Sequence, residues 1–255
     1  MLRTRVIPCL LLRKGGLVKT VGFSDAKYVG DPINAVRIFN DKEVDELILL
    51  DIDASRERLE PNYDQIADIV SEAFMPVAYG GGVKTVEQAK RIVALGVEKI
   101  VVNTAALDDP ALVGLLAERL GFCSTVVAID VKKDWLGRYR VYDASRRKTT
   151  DKDPVSHAHR MVGEGAGELF INDVTRDGTG QGFDLDLIRR ITAAVNVPVI
   201  VCGGAGKLED FRMAADAGAS AVAGGSMFVY VGKHRAVMIT YPPYGILEKI
   251  LTEAV

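Results

Sequence analysis

Three carboxylates close apolar runs in this 255-residue chain: Asp51 in Leu50-Asp51-Ile52, Asp130 in Ala128-Ile129-Asp130, and Asp177 in Thr175-Arg176-Asp177-Gly178. A carboxylate at the rim of a core works as a general acid or base when its surroundings raise its pKa. The same side chain can instead cap a helix or pair with a neighbour such as Lys19 or Arg176. Asp130 is distinguished by ending an otherwise apolar run. Two glycine clusters, Gly80-Gly81-Gly82 and Cys202-Gly203-Gly204, follow further apolar runs, and Asn103-Thr104 and Gly225-Ser226 follow two more. Glycine lets backbone N–H groups approach an anion with no Cβ in the way, and an adjacent hydroxyl completes a cradle. A single Gly pair would be turn chemistry of a short loop. Two matched pairs, each with a hydroxyl 22 positions on (104 minus 82, 226 minus 204), favour two phosphate cradles and a ligand phosphorylated at both ends.

The elements that must position these groups repeat. Residues 46–104 align with residues 168–226 at a constant offset of 122 (168 minus 46) without a gap: Glu46 meets Glu168, Asp51 meets Asp173, Pro76-Val77 meets Pro198-Val199, and Gly96 meets Gly218. This is a duplicated half-fold. Eight apolar runs of strand length occur, Val6 to Leu12, Glu46 to Asp51, Pro76 to Tyr79, Lys99 to Val102, Thr125 to Asp130, Glu168 to Asn172, Pro198 to Cys202 and Ala219 to Ala223. Helix-period segments separate them, among them Pro32 to Asn40, Val86 to Leu95, Pro154 to Gly163 and Leu208 to Ala217, with a closing helix from Tyr244 to Ala254. Near-continuous Val/Ile/Leu strands between amphipathic helices are parallel strands covered on the outside. Eight units in two equal halves predict a closed (β/α)8 barrel (TIM barrel) of α/β class with a two-fold internal repeat, one domain over residues 1–255; the alternative is an open doubly wound sheet. Trp135 to Asp151 lacks helical period, and its alternating Arg138-Tyr139-Arg140-Val141-Tyr142 predicts a hairpin flap after the fifth strand.

A barrel places its site at the C-terminal strand ends, where the carboxylates and glycine clusters fall. Charged residues fall at the opposite, entry ends: Arg5, Glu46, Lys99 and Glu168. Such charges can serve stability alone, or can pair into a ring closing an opening through which a small molecule passes. A net charge of −2 gives no basic footprint for nucleic acid, and no apolar stretch approaches a membrane span or a signal peptide, so a cytoplasmic protein with a small-molecule or protein partner is expected. Cys9, Cys123 and Cys202 lie far apart on apolar patterns and read as buried structural thiols. His157 and His159 have no third ligand at metal spacing and read as exposed; neither a metal nor a cofactor is expected.

From Arg5 to about Phe228 the chain closely resembles the cyclase subunit of imidazole glycerol phosphate synthase. The resemblance rests on Val6-Ile7-Pro8-Cys9-Leu10, Val18-Lys19, Gly30-Asp31-Pro32, Leu50-Asp51-Ile52, Gly80-Gly81-Gly82, Val102-Asn103-Thr104-Ala105, Ala128-Ile129-Asp130, Arg176-Asp177-Gly178-Thr179 and Gly203-Gly204-Ala205-Gly206-Lys207. It implies a (β/α)8 barrel that docks a glutaminase subunit on its bottom face and receives ammonia through its axis. Ammonia would then react with a bisphosphorylated ribulosyl intermediate to give imidazole glycerol phosphate. The resemblance assigns phosphate contacts to Gly82, Asn103, Thr104, Gly178, Gly204, Gly225 and Ser226, catalysis to Asp130, and the ammonia gate to Arg5, Glu46, Lys99 and Glu168; Lys19, Asp51, Ser145, Asn172 and Asp177 are expected as further substrate-site residues.

The chain departs from that pattern at position 11, where the family's Cys-Leu-Asp-Val becomes Cys9-Leu10-Leu11-Leu12, so one of two essential carboxylates is absent. Asn172 stands where the family commonly has Thr, and Gly232-Lys233-His234-Arg235-Ala236-Val237 is foreign to the histidine enzyme. These changes resemble a sister group of glycosyl-amidation-associated paralogues found with surface-polysaccharide genes, in which Cys9 to Leu12, Tyr28 to Val36 and Gly232 to Val237 recur. That resemblance implies work beside a glutaminase and a sugar amidotransferase, amidating an N-acetyl sugar of lipopolysaccharide. The ordinary histidine cyclase, and a non-catalytic conduit that activates its glutaminase, are the alternatives.

Overall fold

The computed structural model describes residues 4–252. Eight parallel strands close on themselves: β1 Arg5–Arg13, β2 Leu47–Asp51, β3 Val77–Gly80, β4 Lys99–Val102, β5 Thr125–Lys133, β6 Glu168–Asp173, β7 Val199–Cys202 and β8 Ala221–Gly224. Each ladders to the next, and β8 returns to β1 with Arg5 opposite Ala221 and Pro8 opposite Gly224. The closed parallel barrel is therefore the fold, and the open-sheet alternative is excluded by the β8–β1 ladder.

Helices α1 Pro32–Asp41, α2 Tyr63–Ser71, α3 Val86–Ala94, α4 Thr104–Asp108, α5 Ala111–Leu120, α6 Pro154–Glu164, α7 Leu185–Thr192, α8 Leu208–Asp216, α9 Ser226–Val229 and α10 Tyr244–Thr252 lie between or after the strands. Their start points are written in the sequence: Asp31, Asn62, Thr85, Asp153 and Asp184 each accept a backbone N–H from the first turn, and Pro32 and Pro154 begin their helices where a missing N–H costs nothing. Each such cap contributes about 1 kcal/mol. The inner helix stripes pack on the strands' outward side chains, with Phe39, Ile92, Leu116, Met161, Ile191 and Phe211 all fully buried. Burying one such side chain stabilises by roughly 1.5–3 kcal/mol.

A second, smaller cluster fills the barrel itself: Ile7, Cys9, Ile48, Ala78, Val101, Val126, Ala128, Phe170, Ile200, Cys202, Ala221 and Ala223, with Leu11 and Leu50 packed on it from above. Both apolar faces of each strand are thus consumed, which is why the strands read as continuous rather than alternating runs.

Two antiparallel additions stand on the mouth. The expected flap is present: Tyr139–Asp143 pairs with the end of β5, Val131 opposite Val141, and then with Lys148–Thr149. A second hairpin, Gly16–Val21 with Ser24–Gly30, extends from β1. The parallel-strand reading missed it, although Gly15-Gly16 and Gly22 bracket a short run of strand length, Leu17-Val18-Lys19-Thr20-Val21. Its tip holds Phe23 at φ +63°, and the Phe23 ring meets Tyr142 of the flap edge-on at 6.2 Å between centroids. A short hairpin, Tyr230–Val231 with Ala236–Val237, carries the Gly232 to Val237 segment. Among the described residues no helix is long and apolar enough to cross a membrane.

Two residue expectations are corrected. His157 is buried, because α6 turns Pro154, His157, Ala158 and Met161 inward on one stripe; burial, with the charges of Lys152 and Arg160, lowers its pKa to about 4. His159 is exposed, as expected. Cys123 is exposed in the turn Phe122–Ser124 that precedes β5, whereas Cys9 and Cys202 are buried within the barrel.

Candidate active site at the barrel mouth and an ion ring at its foot

One cavity opens at the C-terminal strand ends. Of the residues singled out in the sequence, it is lined by Leu11, Lys19, Asp51, Gly82, Asn103, Thr104, Asp130, Ser145, Asn172, Asp177, Gly225 and Ser226. Gly178 and Gly204 are not on its wall. Gly204 is instead covered by the β6–α7 loop, whose Gly182 N–H donates to the Gly204 carbonyl at 2.8 Å. The first cradle therefore faces the cavity as a whole, the second through Gly225 and Ser226.

Asp130 is 5% exposed, and burial lifts its pKa to about 7, against the opposing hydrogen bond from Asn103 Nδ2 at 2.8 Å. The charges of Asp177 and Asp143 add to the rise. Near neutral pH this carboxyl exists in both protonation states, the condition for proton transfer in either direction. Its neighbour across the β5–β6 ladder is Asn172, also buried, whose Oδ1 has no hydrogen-bond partner.

Asp177 is raised by burial, opposed by Lys19 and by the Thr20 hydroxyl, which donates to its Oδ2 at 3.0 Å. Lys19 arrives on the hairpin strand Gly16–Val21, 6% exposed, and its Nζ donates to the Cys9 carbonyl. Burial lowers its pKa, with Cys9 and Asp177 opposing. The position is possible only because residue 225 is glycine: a Cβ there would overlap Lys19 Nζ.

Asp51 is raised by burial yet fixed by backbone N–H groups of Ala54 and Asp53, both at 3.1 Å from Oδ1. It shapes the turn after β2, a use the sequence did not suggest. Ser145 donates to Asp143 at 2.6 Å, and Arg146 and Asp108 complete that ion cluster under the flap.

Sequence reasoning missed Arg13, Ser55, Arg56, Phe23, Tyr142 and Arg147 as cavity residues. Ser55 Oγ accepts the Gly82 N–H at 3.4 Å, and Arg13 pairs with buried Asp53 at 2.9 Å. Phe23 had a signal, the glycines that bracket the strand-length run Leu17 to Val21 before it. Tyr142 and Arg147 had only their place in the flap.

At the foot, Arg5, Glu46, Lys99 and Glu168 close a four-membered ring. Arg5 bonds Glu46 through Nη1 and Glu168 through Nη2; Lys99 Nζ lies 2.9 and 3.0 Å from the Glu46 oxygens and 2.9 Å from Glu168 Oε2. The two glutamates are nearly fully buried, and each has both cations as partners, which offsets the cost of removing their charge from water. The ring caps the axis below the apolar filling of the barrel.

A closed (β/α)8 barrel with a carboxylate-lined cavity at its C-terminal rim belongs to the enzyme class of barrels. Residues 5–235 match the family model described as histidine biosynthesis protein. Among relatives, a Pseudomonas aeruginosa protein provisionally named imidazole glycerol phosphate synthase subunit hisF2 is 52% identical over 249 residues, 97% of this chain and 99% of the relative. A Leptospira borgpetersenii protein with a similarly provisional HisF name is 47% identical over 95% of this chain and 96% of its own length. The imidazole glycerol phosphate synthase subunit HisF of Alkaliphilus metalliredigens is 41% identical over 90% of this chain and 92% of its own length. The chain belongs to the histidine biosynthesis protein family, as a synthase subunit of the HisF type.

Proposed function

We propose that this subunit takes ammonia from a docked glutaminase through the ring at its foot and supports amidation of an N-acetyl sugar in surface-polysaccharide assembly, including lipopolysaccharide O-antigen. What supports the reading is one juxtaposition: the four-residue ring is closed, whereas Leu11 stands on the cavity wall where the family's second carboxylate is expected. An aliphatic side chain relays no proton, and general acid–base help contributes roughly 100- to 10,000-fold to such a step. Ammonia delivery keeps its machinery while cyclisation loses half of its own. In this reading Asp130, Asp177 and Lys19 act on a phosphorylated ligand held at Gly82, Asn103, Thr104, Gly225 and Ser226, with Asp51, Ser145, Asn172, Gly178 and Gly204 shaping the same mouth. The sister-group placement, the amidotransferase partner and a cytoplasmic setting belong to this proposal.

A second reading, the histidine cyclase, draws support from Asp177, a half-buried carboxylate with raised pKa on the wall of the cavity it shares with Asp130. Deleting the gene separates the two. Loss of acetamidino carbon signals from the purified polysaccharide, with growth in the absence of histidine retained, is the expected result. A histidine auxotroph with unchanged polysaccharide would overturn the proposal in favour of the cyclase.

A further inference from the structure

A cation stands directly above Leu11. Ile7, Cys9 and Leu11 turn into the barrel from β1, and strand alternation carries Arg13, two residues on, to the same face, where it lines the cavity. Its orientation is set from behind. Arg13 Nε donates to Asp53 Oδ2 at 2.9 Å, and Asp53, 5% exposed, is held in the turn after β2 by its own N–H on Asp51 Oδ1 at 3.1 Å and by the Glu57 N–H on its carbonyl at 2.8 Å. A guanidinium carries five N–H donors, of which this one spends a single one: among the described residues neither Nη of Arg13 has a partner. With Nε turned to the protein, the Nη1–Nη2 edge is left to the cavity. Leu11, one step lower on that face, brings no carboxylate to compete for it.

Two parallel N–H donors match the two oxygens of a carboxylate. A phosphate asks for a fuller set of donors, such as the backbone N–H groups and hydroxyls offered at Gly82 and Thr104 and at Gly225 and Ser226. Beside Arg13 no such set is free, because the N–H groups of Asp53 and Ala54 are spent on Asp51. The buried Asp53 carboxylate also offsets part of the Arg13 charge, which suits a monoanion better than a dianion. Position agrees with this division. β1 ladders on one side to β8, which leads into Gly225 and Ser226, and on the other to β2 and so to β3, which leads into Gly82; β5, with Asp130, is the strand opposite. The fork thus lies between the two cradles.

The geometry points to an anion subsite beside the phosphate cradles, in which Arg13, positioned by Asp53, binds a carboxylate of the phosphorylated ligand, so that the ligand is a sugar acid. This rests on the phosphorylated-ligand reading above and adds to it the class of sugar. Calorimetric titration of the intact subunit with glucuronic acid 1-phosphate and with glucose 1-phosphate, which share their phosphate and differ in the carboxylate, tests it. The acid is expected to bind about tenfold more tightly, the size of one charge-assisted contact. Arg13→Gln is expected to erase that preference while glucose 1-phosphate binds as in the parent, which also shows the variant to be folded. Arg13→Lys, which keeps the charge without the fork, should lose most of it, and Asp53→Asn should lower it without weakening glucose 1-phosphate. Equal binding of both sugars by the parent, or a preference that survives in Arg13→Gln, would overturn the carboxylate assignment and leave the cradles standing. A gain in affinity for glucose 1,6-bisphosphate over glucose 1-phosphate that vanishes in Arg13→Gln would overturn it as well, by giving the fork to a phosphate. Binding of none of these sugars by the parent would remove the cradles and this proposal together.

Discussion

At the rim of β2, Asp51 Oδ1 accepts the N–H groups of Asp53 and Ala54, both at 3.1 Å; 122 residues on, at the rim of β6, Asp173 Oδ1 accepts those of Thr175 and Arg176 at 2.9 and 3.3 Å. The correspondence continues. Gly81 and Gly203 have φ of +132° and +90°, a region where other residues are strained. Lys84 N–H donates to Gln88 Oε1 and Gly206 N–H to Asp210 Oδ2, both at 2.8 Å. Asn103 and Gly225 precede α4 and α9 at φ −128°, ψ −84° and φ −113°, ψ −72°. Against this shared backbone, the inward side chains diverge: Leu11 and Leu50 in one half, Asp130 and Asn172 in the other. Turn geometry is fixed by short-range hydrogen bonds that both copies keep. A side chain facing the cavity carries no such duty, so its chemistry is free to change in one copy alone.

The sharpest way to break that comparison is to make the first half resemble the second. Leu11→Asp is expected to raise ammonium-dependent turnover of the bisphosphorylated ribulosyl intermediate by roughly 100- to 10,000-fold, the range of one acid–base group. Turnover unchanged in the variant, followed by product absorbance, would place the deficit elsewhere in the mouth.

The ring lets the two ends of the barrel be separated. Lys99→Ala leaves Glu46 and Glu168 sharing Arg5 alone, and should lower the unfolding free energy by up to about 3 kcal/mol, read from urea denaturation. In the same variant, glutamine-dependent activity is expected to change several-fold while activity with added ammonium salt holds. Equal effects on both would assign the ring to stability only.

The cradles come next in size. Crystals soaked in sulfate are expected to show one anion at Gly82 and Thr104 and another near Gly225 and Ser226. Gly82 has φ +72°, and a Cβ on it would lie 2.8 Å from the Leu59 carbonyl, so Gly82→Ala should weaken phosphate binding at the first cradle by tenfold or more. Density at a single cradle would show that the halves have diverged in ligand as well as in walls.

The smallest effect concerns Asp130. Its folded-state pKa of about 7 lies above the unfolded value near 3.8, so between these limits the unfolded chain has released a proton that the folded chain still holds. Stability contributed by this group falls as pH rises through that window and is lowest above 7. Asp130→Asn should flatten the decline in melting temperature between pH 4 and pH 7. A carboxyl carbon signal of Asp130 titrating near 4 by NMR would contradict the burial argument.

Residue order alone determined the barrel, the duplication and the flap, because each follows from local period, glycine position or a constant offset; it placed Arg5, Glu46, Lys99 and Glu168 at the strand entries but left open whether they pair, which the side-chain geometry decided. Cys123 and His157 were misplaced for want of a neighbour: an apolar stretch does not say which side of a turn or helix faces inward until the packing partner is known. Tertiary structure decided that Leu11 and Asp130 are counterparts. Their separation is 119 (130 minus 11) rather than 122, and Leu11 lies outside the gapless alignment, so sequence spacing does not pair them. Ladder register does, since Leu11 pairs with Leu50, Asp130 with Asn172, and 172 minus 50 is 122. Backbone hydrogen bonding between strands is a three-dimensional property, and it alone set the Leu11–Leu50 pair opposite Asp130–Asn172.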